Sequence, residues 1–181
     1  MKQVGLNVNE ENFQDTPDRY AKALIEMLRG EKDTDEQVKA LLKVAFSEER
    51  NDEMIIVNNI DAVGVCPHHF LPIEYAVTVG YLPSRETFKC VGLSKLPRLV
   101  ELLAARAIMR ETLTVDITSA LETYLAPAGA GAIVVGRHGC LSCRGAKQKR
   151  AHMVTTSVIG AFRDQPSTKE EFLRNVPQVI R

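Results

Sequence analysis

"FKCVGLSKLPRLVELLAAR", residues 88–106, changes its periodicity halfway along. Phe88 to Leu93 mixes β-branched, aromatic and small apolar residues, the texture of a strand. From Ser94 the apolar positions recur at helical spacing, with Leu96, Leu99, Val100 and Leu103 on one face. The same two textures continue on both sides. Upstream, "MIIVNNI" (54–60) and "IEYAVTVGYLP" (73–83) read as strands. Downstream, "TLTVDITSALETYL" (112–125) carries Leu113, Ile117, Leu121 and Tyr124 in helical register. "APAGAG" (126–131) breaks the chain, and "AIVVGRHGC" and "MVTTSVIGAF" follow as two more strands. Strand pairs flanking a pair of helices predict an α+β fold: an antiparallel sheet with both helices on one face. So small a sheet leaves edges that association with further copies would cover.

The N-terminal part is helical. "DTPDRYAKALIEMLRG" (15–30) offers Thr16 as a cap, Pro17 at the first helical position and Gly30 as a stop. "TDEQVKALLKVAF" (34–46) opens with a Thr34/Gln37 capping box and sets Val38, Leu41, Leu42 and Ala45 on one stripe. "STKEEFLRNV" (167–176) gives a last helix before Pro177. The expected organisation is an N-terminal helical segment, 1–50, and one compact unit, 51–181.

Composition narrows the partners. Lys plus Arg equals Asp plus Glu at 23 each, so no global field draws the chain to nucleic acid or an anionic membrane. No apolar run approaches the ~20 residues of a membrane span. The start, "MKQVGLNVNEENFQD", lacks the apolar core of a signal peptide. The expectation is a cytoplasmic protein, whose four cysteines are free thiols or metal ligands rather than disulfides.

Two constellations carry chemistry. In "VGVCPHHFLPI" (63–73), Cys66 and His69 form a short chelate beside His68; in "HGCLSC" (138–143), His138, Cys140 and Cys143 supply partners. Thiolate with imidazole suits zinc. A closed structural site would use Cys66, His69, Cys140 and Cys143; an open one would use three of them and leave a corner for water. Strand alternation sends Cys140 and Cys143 to opposite faces unless the chain turns at Gly139. The spare imidazoles His68 and His138 suit proton transfer beside a metal, or else satisfy hydrogen bonds in a polar interior. Cys90 reads as an ordinary buried thiol.

The second constellation offers a candidate anion site. In "VGLSKLPRLV" (91–100), Ser94 can cap the helix, and Lys95 and Arg98 stand at the end where the dipole disfavours cations. A phosphate at the helix start would neutralise them; the plain alternative is a solvated face with Glu101 beside Arg98. "RGAKQKR" adds Arg144, Lys147, Lys149 and Arg150 without interleaved aromatics, which fits a polyphosphate small molecule better than a nucleic acid. Glu111, in "MRETLT", is an acceptor-only carboxylate able to take two adjacent N–H donors such as those of guanine.

"CPHHFLPI", "VGLSKLPRLVELLAAR", "RETLT", "HGCLSCRG" and "STKEEFL", in this order and spacing, resemble the GTP cyclohydrolase I family, and the likeness runs from "TPDRYAK" to the last helix. The resemblance implies the tunnelling fold, ββααββ, with pentameric rings stacked as a homodecamer and active sites between subunits. It implies hydrolysis of GTP to 7,8-dihydroneopterin triphosphate and formate, a first step shared by folate, biopterin and 7-deazaguanine routes. By motif, Cys66, His69 and Cys140 would hold zinc, with Cys143 outside the set. His138 would donate a proton to N7 as water attacks C8, and His68 and Ser94 would stand near the ribose. Glu111 would hold the guanine edge. Lys95, Arg98, Arg144, Arg19 and Lys22 would clamp the triphosphate. Two positions depart from the family pattern: Pro67 stands where Glu is usual, and Arg110 where Gln commonly precedes the base-binding Glu. The competing readings are a homologue altered toward another purine nucleotide, one that binds nucleotide without turnover, or a structural zinc protein with a closed site.

Overall fold

Along the strand Pro72–Leu82, Tyr75, Val77, Val79 and Tyr81 are all buried, and their period of two turns them to one side. That side is the core. In chain order the elements of this computed structural model, which describes residues 1–47 and 53–176, are α1 (Thr16–Met27), α2 (Thr34–Leu42), β1 (Ala45–Ser47), β2 (Ile55–Val65) and β3 (Pro72–Leu82). They continue with β4 (Lys89–Val91), α3 (Lys95–Ala104), α4 (Arg110–Leu125), β5 (Gly129–His138), α5 (Gly139–Ser142), β6 (Met153–Gly160), α6 (Ala161–Asp164) and α7 (Pro166–Arg174).

β2, β3, β5 and β6 form one antiparallel sheet in that order. α3 packs on β2, and α4 packs on β5 and β6. Leu99, Val100 and Leu103 of α3 and Leu113, Ile117 and Leu121 of α4 share one cluster with the inward residues of β3 and with Ala130, Ala132 and Val134 of β5. Removing each of the Leu, Ile and Val side chains from water contributes roughly 1.5–3 kcal/mol. The expected α+β arrangement, ββααββ with both helices on one face, is the observed one.

α4 departs from a simple apolar stripe. Thr114 and Thr118 are buried, and their hydroxyls meet Thr155 (2.6 Å) and Ser157 (2.7 Å) on β6. Buried hydroxyls need such partners. These two bonds fasten the helix to the edge strand.

On the opposite side of the sheet, Phe162 and Phe172 stack edge to face at 5.1 Å. Gly80 and Gly131 are partners across β3 and β5, and a Cβ on either would lie 2.8 Å from the Phe172 ring. The strands surrender two side chains there to admit one aromatic.

Several local expectations need correction. Thr16 is the first residue of α1 rather than its cap, and its hydroxyl donates to Asn12. Gly30 does not end α1, which stops at Met27; it lies in a 3₁₀ turn pressed against the Leu102 and Ala105 carbonyls. The Thr34/Gln37 capping box does not form, since both side chains donate backward to the Gly30 and Lys32 carbonyls. Val38 and Leu42 are buried as expected, but Ala45 belongs to β1. "FKCVGL" yields only β4, which pairs with β1 in a separate two-stranded sheet. α1 buries no residue and leaves Tyr20 and Ile25 exposed. The expected boundary at residues 50 and 51, and Pro177, lie outside the described residues.

Candidate metal centre

β2 ends at Val65, and the next residue is Cys66, 3% exposed. A tight reversal follows. The Phe70 amide donates to the Cys66 carbonyl (2.8 Å), the Cys66 amide donates to the Leu71 carbonyl (2.9 Å), and Phe70 adopts a left-handed backbone. This turn brings His69 back over Cys66, placing Nδ1 3.7 Å from Sγ.

The third donor arrives from β5, at the same end of the sheet. His138 ends β5 opposite Ile73, and the chain coils at once into α5. Gly139 makes that turn possible, because a Cβ there would lie 2.9 Å from the Pro72 carbonyl oxygen. The coil sets Cys140 Sγ 3.8 Å from Cys66 Sγ. Sγ of Cys66, Sγ of Cys140 and one ring nitrogen of His69 all lie within 4.8 Å of one another.

These spacings fit zinc. Two sulfurs at ~2.3 Å from a tetrahedral ion stand about 3.8 Å apart. Two thiols and one imidazole match the ion's preference for sulfur and nitrogen donors. Cys143 is not in the group; it is exposed, and its thiol donates to the Gly139 carbonyl. The alternation argument does not reach Cys140, since the strand stops at His138 and Cys140 sits in a helical turn. Burial and the neighbouring Cys66 thiol raise the Cys140 pKa, an effect a bound cation would reverse.

Around the cluster stand groups of unusual state. Nε2 of His138 is buried without a hydrogen-bond partner among the described residues. Burial first, then the Arg110 charge, lowers its pKa below the ordinary 6.5, with Glu111 opposing. Tyr75 is pushed up to about 12 by burial, with Arg110 pulling the other way and Cys66 and Glu111 adding to the rise. Burial lowers the Arg110 pKa while Glu111 and Tyr75 raise it. His138, Glu111, Arg110 and Tyr75 therefore share one electrostatic neighbourhood, and Arg144 acts on Cys140.

The other expected residues sit on α1, on α3 and in the turn after Cys66. Ser94 stands at the N-cap of α3 without a side-chain cap bond, and Lys95 is half-buried. Arg98 lines a hollow with Arg29, Gln37 and Glu101, and the ion-pair partner of Glu101 is Arg29 rather than Arg98. Arg19 is paired with Asp15 on the exposed α1, and Lys22 is exposed on the same helix. His68 is exposed beside His69, with ring centroids 6.3 Å apart. Cys90 is half-buried, not buried. Tyr75 escaped the sequence reading, because an aromatic on an alternating strand looks like any core residue.

Comparison with known proteins identifies the family. The profile of the family described as GTP cyclohydrolase I matches residues 1–177. GTP cyclohydrolase 1 of Drosophila melanogaster is 37% identical over 96% of this chain, which spans 52% of that protein. The Homo sapiens protein of the same name is 36% identical over 96% of the chain, spanning 67% of the relative. That of Leptospira biflexa is 34% identical over 96% of the chain, and 91% of the relative is spanned. Among solved structures, the apo archaeosine synthase QueF-Like superposes with a TM-score of 0.48 at 16% identity, covering 59% of this chain and 93% of that one. With a family profile over nearly its whole length and a Cys-His-Cys cluster at the end of an antiparallel sheet, the chain belongs to the GTP cyclohydrolase I family.

Proposed function

We propose that the chain is a zinc-dependent GTP cyclohydrolase I, opening the guanine imidazole ring of GTP at C8 to give 7,8-dihydroneopterin triphosphate and formate. The observation that carries this reading is the convergence of Cys66, His69 and Cys140 beside His138 and Glu111. Zinc held by those three side chains supplies the Lewis acidity that makes water nucleophilic at neutral pH.

The chain's own groups do the rest. His138, with a buried ring nitrogen lacking a protein partner, is placed to exchange a proton with N7 of the base. Glu111 accepts from the guanine N1–H and 2-amino groups. His68 and Ser94 act at the ribose, where an Amadori-type rearrangement precedes closure of the six-membered ring. Arg144, Lys95, Arg98, Arg19 and Lys22 hold the triphosphate, whose binding helps to position C8.

Arg19 and Lys22 belong to α1, which buries no residue of its own, and this favours a site completed between copies. The open edges of β2 and β6 and the unburied apolar residues of α1 support a homo-oligomer, taken here as a decamer of two pentamers. Among the described residues no helix is long and apolar enough to cross a membrane. A cytoplasmic enzyme feeding folate, pterin or 7-deazaguanine synthesis fits the whole.

The test is incubation of the zinc-loaded protein with GTP, assaying formate and, after oxidation, a fluorescent pterin. Both should appear in equal amounts. Nucleotide binding without either product would instead identify a non-catalytic homologue.

A further inference from the structure

Arg110 is the bulkiest of the fully buried side chains, at 2% exposure. A guanidinium carries five N–H donors and stays charged. Here Nη1 donates to the Met153 carbonyl at 3.0 Å, Nε is buried without a partner, and none of the ion pairs among the described residues includes Arg110. The chain nevertheless makes room for it. A Cβ at Gly136 would stand 3.0 Å from Nη1 and 3.2 Å from the Tyr75 ring, so β5 gives up a side chain where the guanidinium passes. A buried cation left with one neutral acceptor is costly, and native structures seldom keep one without a reason.

Its surroundings suggest the reason. Arg110 precedes Glu111 at the start of α4, and its charge reaches Glu111, Tyr75 and His138. Donors next to a carboxylate make a pattern, and one edge of a 2-amino-6-oxopurine complements it: an oxygen acceptor at C6, then donors at N1 and the 2-amino group. We infer that Arg110 is a specificity-determining residue, its guanidinium donating to the 6-oxo oxygen of the base while Glu111 accepts from N1–H and the 2-amino group. The inference rests on the guanine reading of Glu111. It adds a rejection term as well: an adenine would present its 6-amino donor to the guanidinium, leaving two donors face to face.

The experiment compares nucleotide affinities of the zinc-loaded full chain and its Arg110→Gln and Arg110→Met variants. GTP is set against 6-thio-GTP, which keeps N1–H and the 2-amino group but has a weak acceptor at C6, and against ITP, which keeps the 6-oxo oxygen but lacks the 2-amino group. The wild type should prefer GTP to 6-thio-GTP by about 10-fold or more, since hydrogen bonds to charged groups are the strong ones. Arg110→Gln should shrink that ratio to within about threefold while leaving the GTP-to-ITP ratio unchanged. Equal weakening of all three nucleotides would mean that Arg110 only braces α4 against Met153, and would overturn the inference. Each ratio is taken within one protein, so partial misfolding cancels. If Arg110→Gln does not fold, Arg110→Met, which keeps the stem and carries no donor, decides by the same ratios. A wild type that binds none of the three overturns the guanine reading as well, whereas GTP turnover with an unmoved 6-thio-GTP ratio overturns the Arg110 inference alone.

Discussion

The sulfurs of Cys66 and Cys140 lie 3.8 Å apart across 74 residues of sequence. Two devices close that distance: the reversal at Phe70, which returns the chain from β2 to β3, and Gly139, which lets α5 coil against Pro72. The metal centre is thus a product of the sheet. Nothing local to either motif could build it.

Removing one of the three clustered donors should abolish stoichiometric zinc binding. Cys66→Ser and Cys140→Ser are expected to lower zinc affinity by more than about 100-fold, since tetrahedral zinc depends on each of its few ligands. Cys143→Ser should retain one zinc per chain, because that thiol bonds to Gly139 outside the cluster. Metal analysis after dialysis against a chelator checks all three.

Glu111→Gln should separate metal from substrate. The amide replaces a double acceptor with one acceptor and one donor, so one purine N–H would face another. The expected result is a fall of about 100-fold or more in kcat/KM for GTP with zinc content unchanged. Steady-state kinetics beside metal analysis tests it.

The Phe172 pocket makes a prediction about stability. Gly131→Ala would bring a methyl within 2.8 Å of that ring, and overpacking a filled site costs roughly 1–3 kcal/mol. A denaturant titration of the variant should show the loss, and Gly131→Ala with Phe172→Leu should recover part of it.

Alkaline pH should unfold the protein through its buried phenols. Tyr81 is pushed up to about 12, chiefly by burial, with the hydrogen bond from the Val91 amide opposing. A raised folded-state value means the stability is fully present below the unfolded value near 10 and is lost as pH rises toward 12. The share due to Tyr81 is at most about 3 kcal/mol. Circular dichroism between pH 9 and 12 should show a shallower decline in Tyr81→Phe than in the wild type; an identical decline would refute this assignment.

What could be read from the sequence followed from periodicity and from chemistry that survives without coordinates. The stripe Leu96, Leu99, Val100 and Leu103 and the alternation along β3 placed the helices and the sheet, because burial imposes those periods directly. Cys66, His69, Cys140 and Cys143 were legible as candidate ligands because few residue types ligate zinc, and the choice of three among them came from the family resemblance. Side-chain choices among competing acceptors were not legible. Thr16, Thr34 and Ser94 had the composition of caps, yet the first two donate to carbonyls behind them and Ser94 caps nothing. Nor did the sequence show that Arg110 would be buried, since a lone arginine at a helix start normally stays in water.

A metal held by two sulfurs and one imidazole, with a corner free for chemistry, has a distinctive ligand shell. Zinc K-edge X-ray absorption on the loaded protein tests it most directly. The predicted spectrum fits two sulfurs at about 2.3 Å and two lighter atoms at about 2.0 Å. Three sulfurs in the shell would bring in Cys143, make the site a closed structural one, and contradict the account.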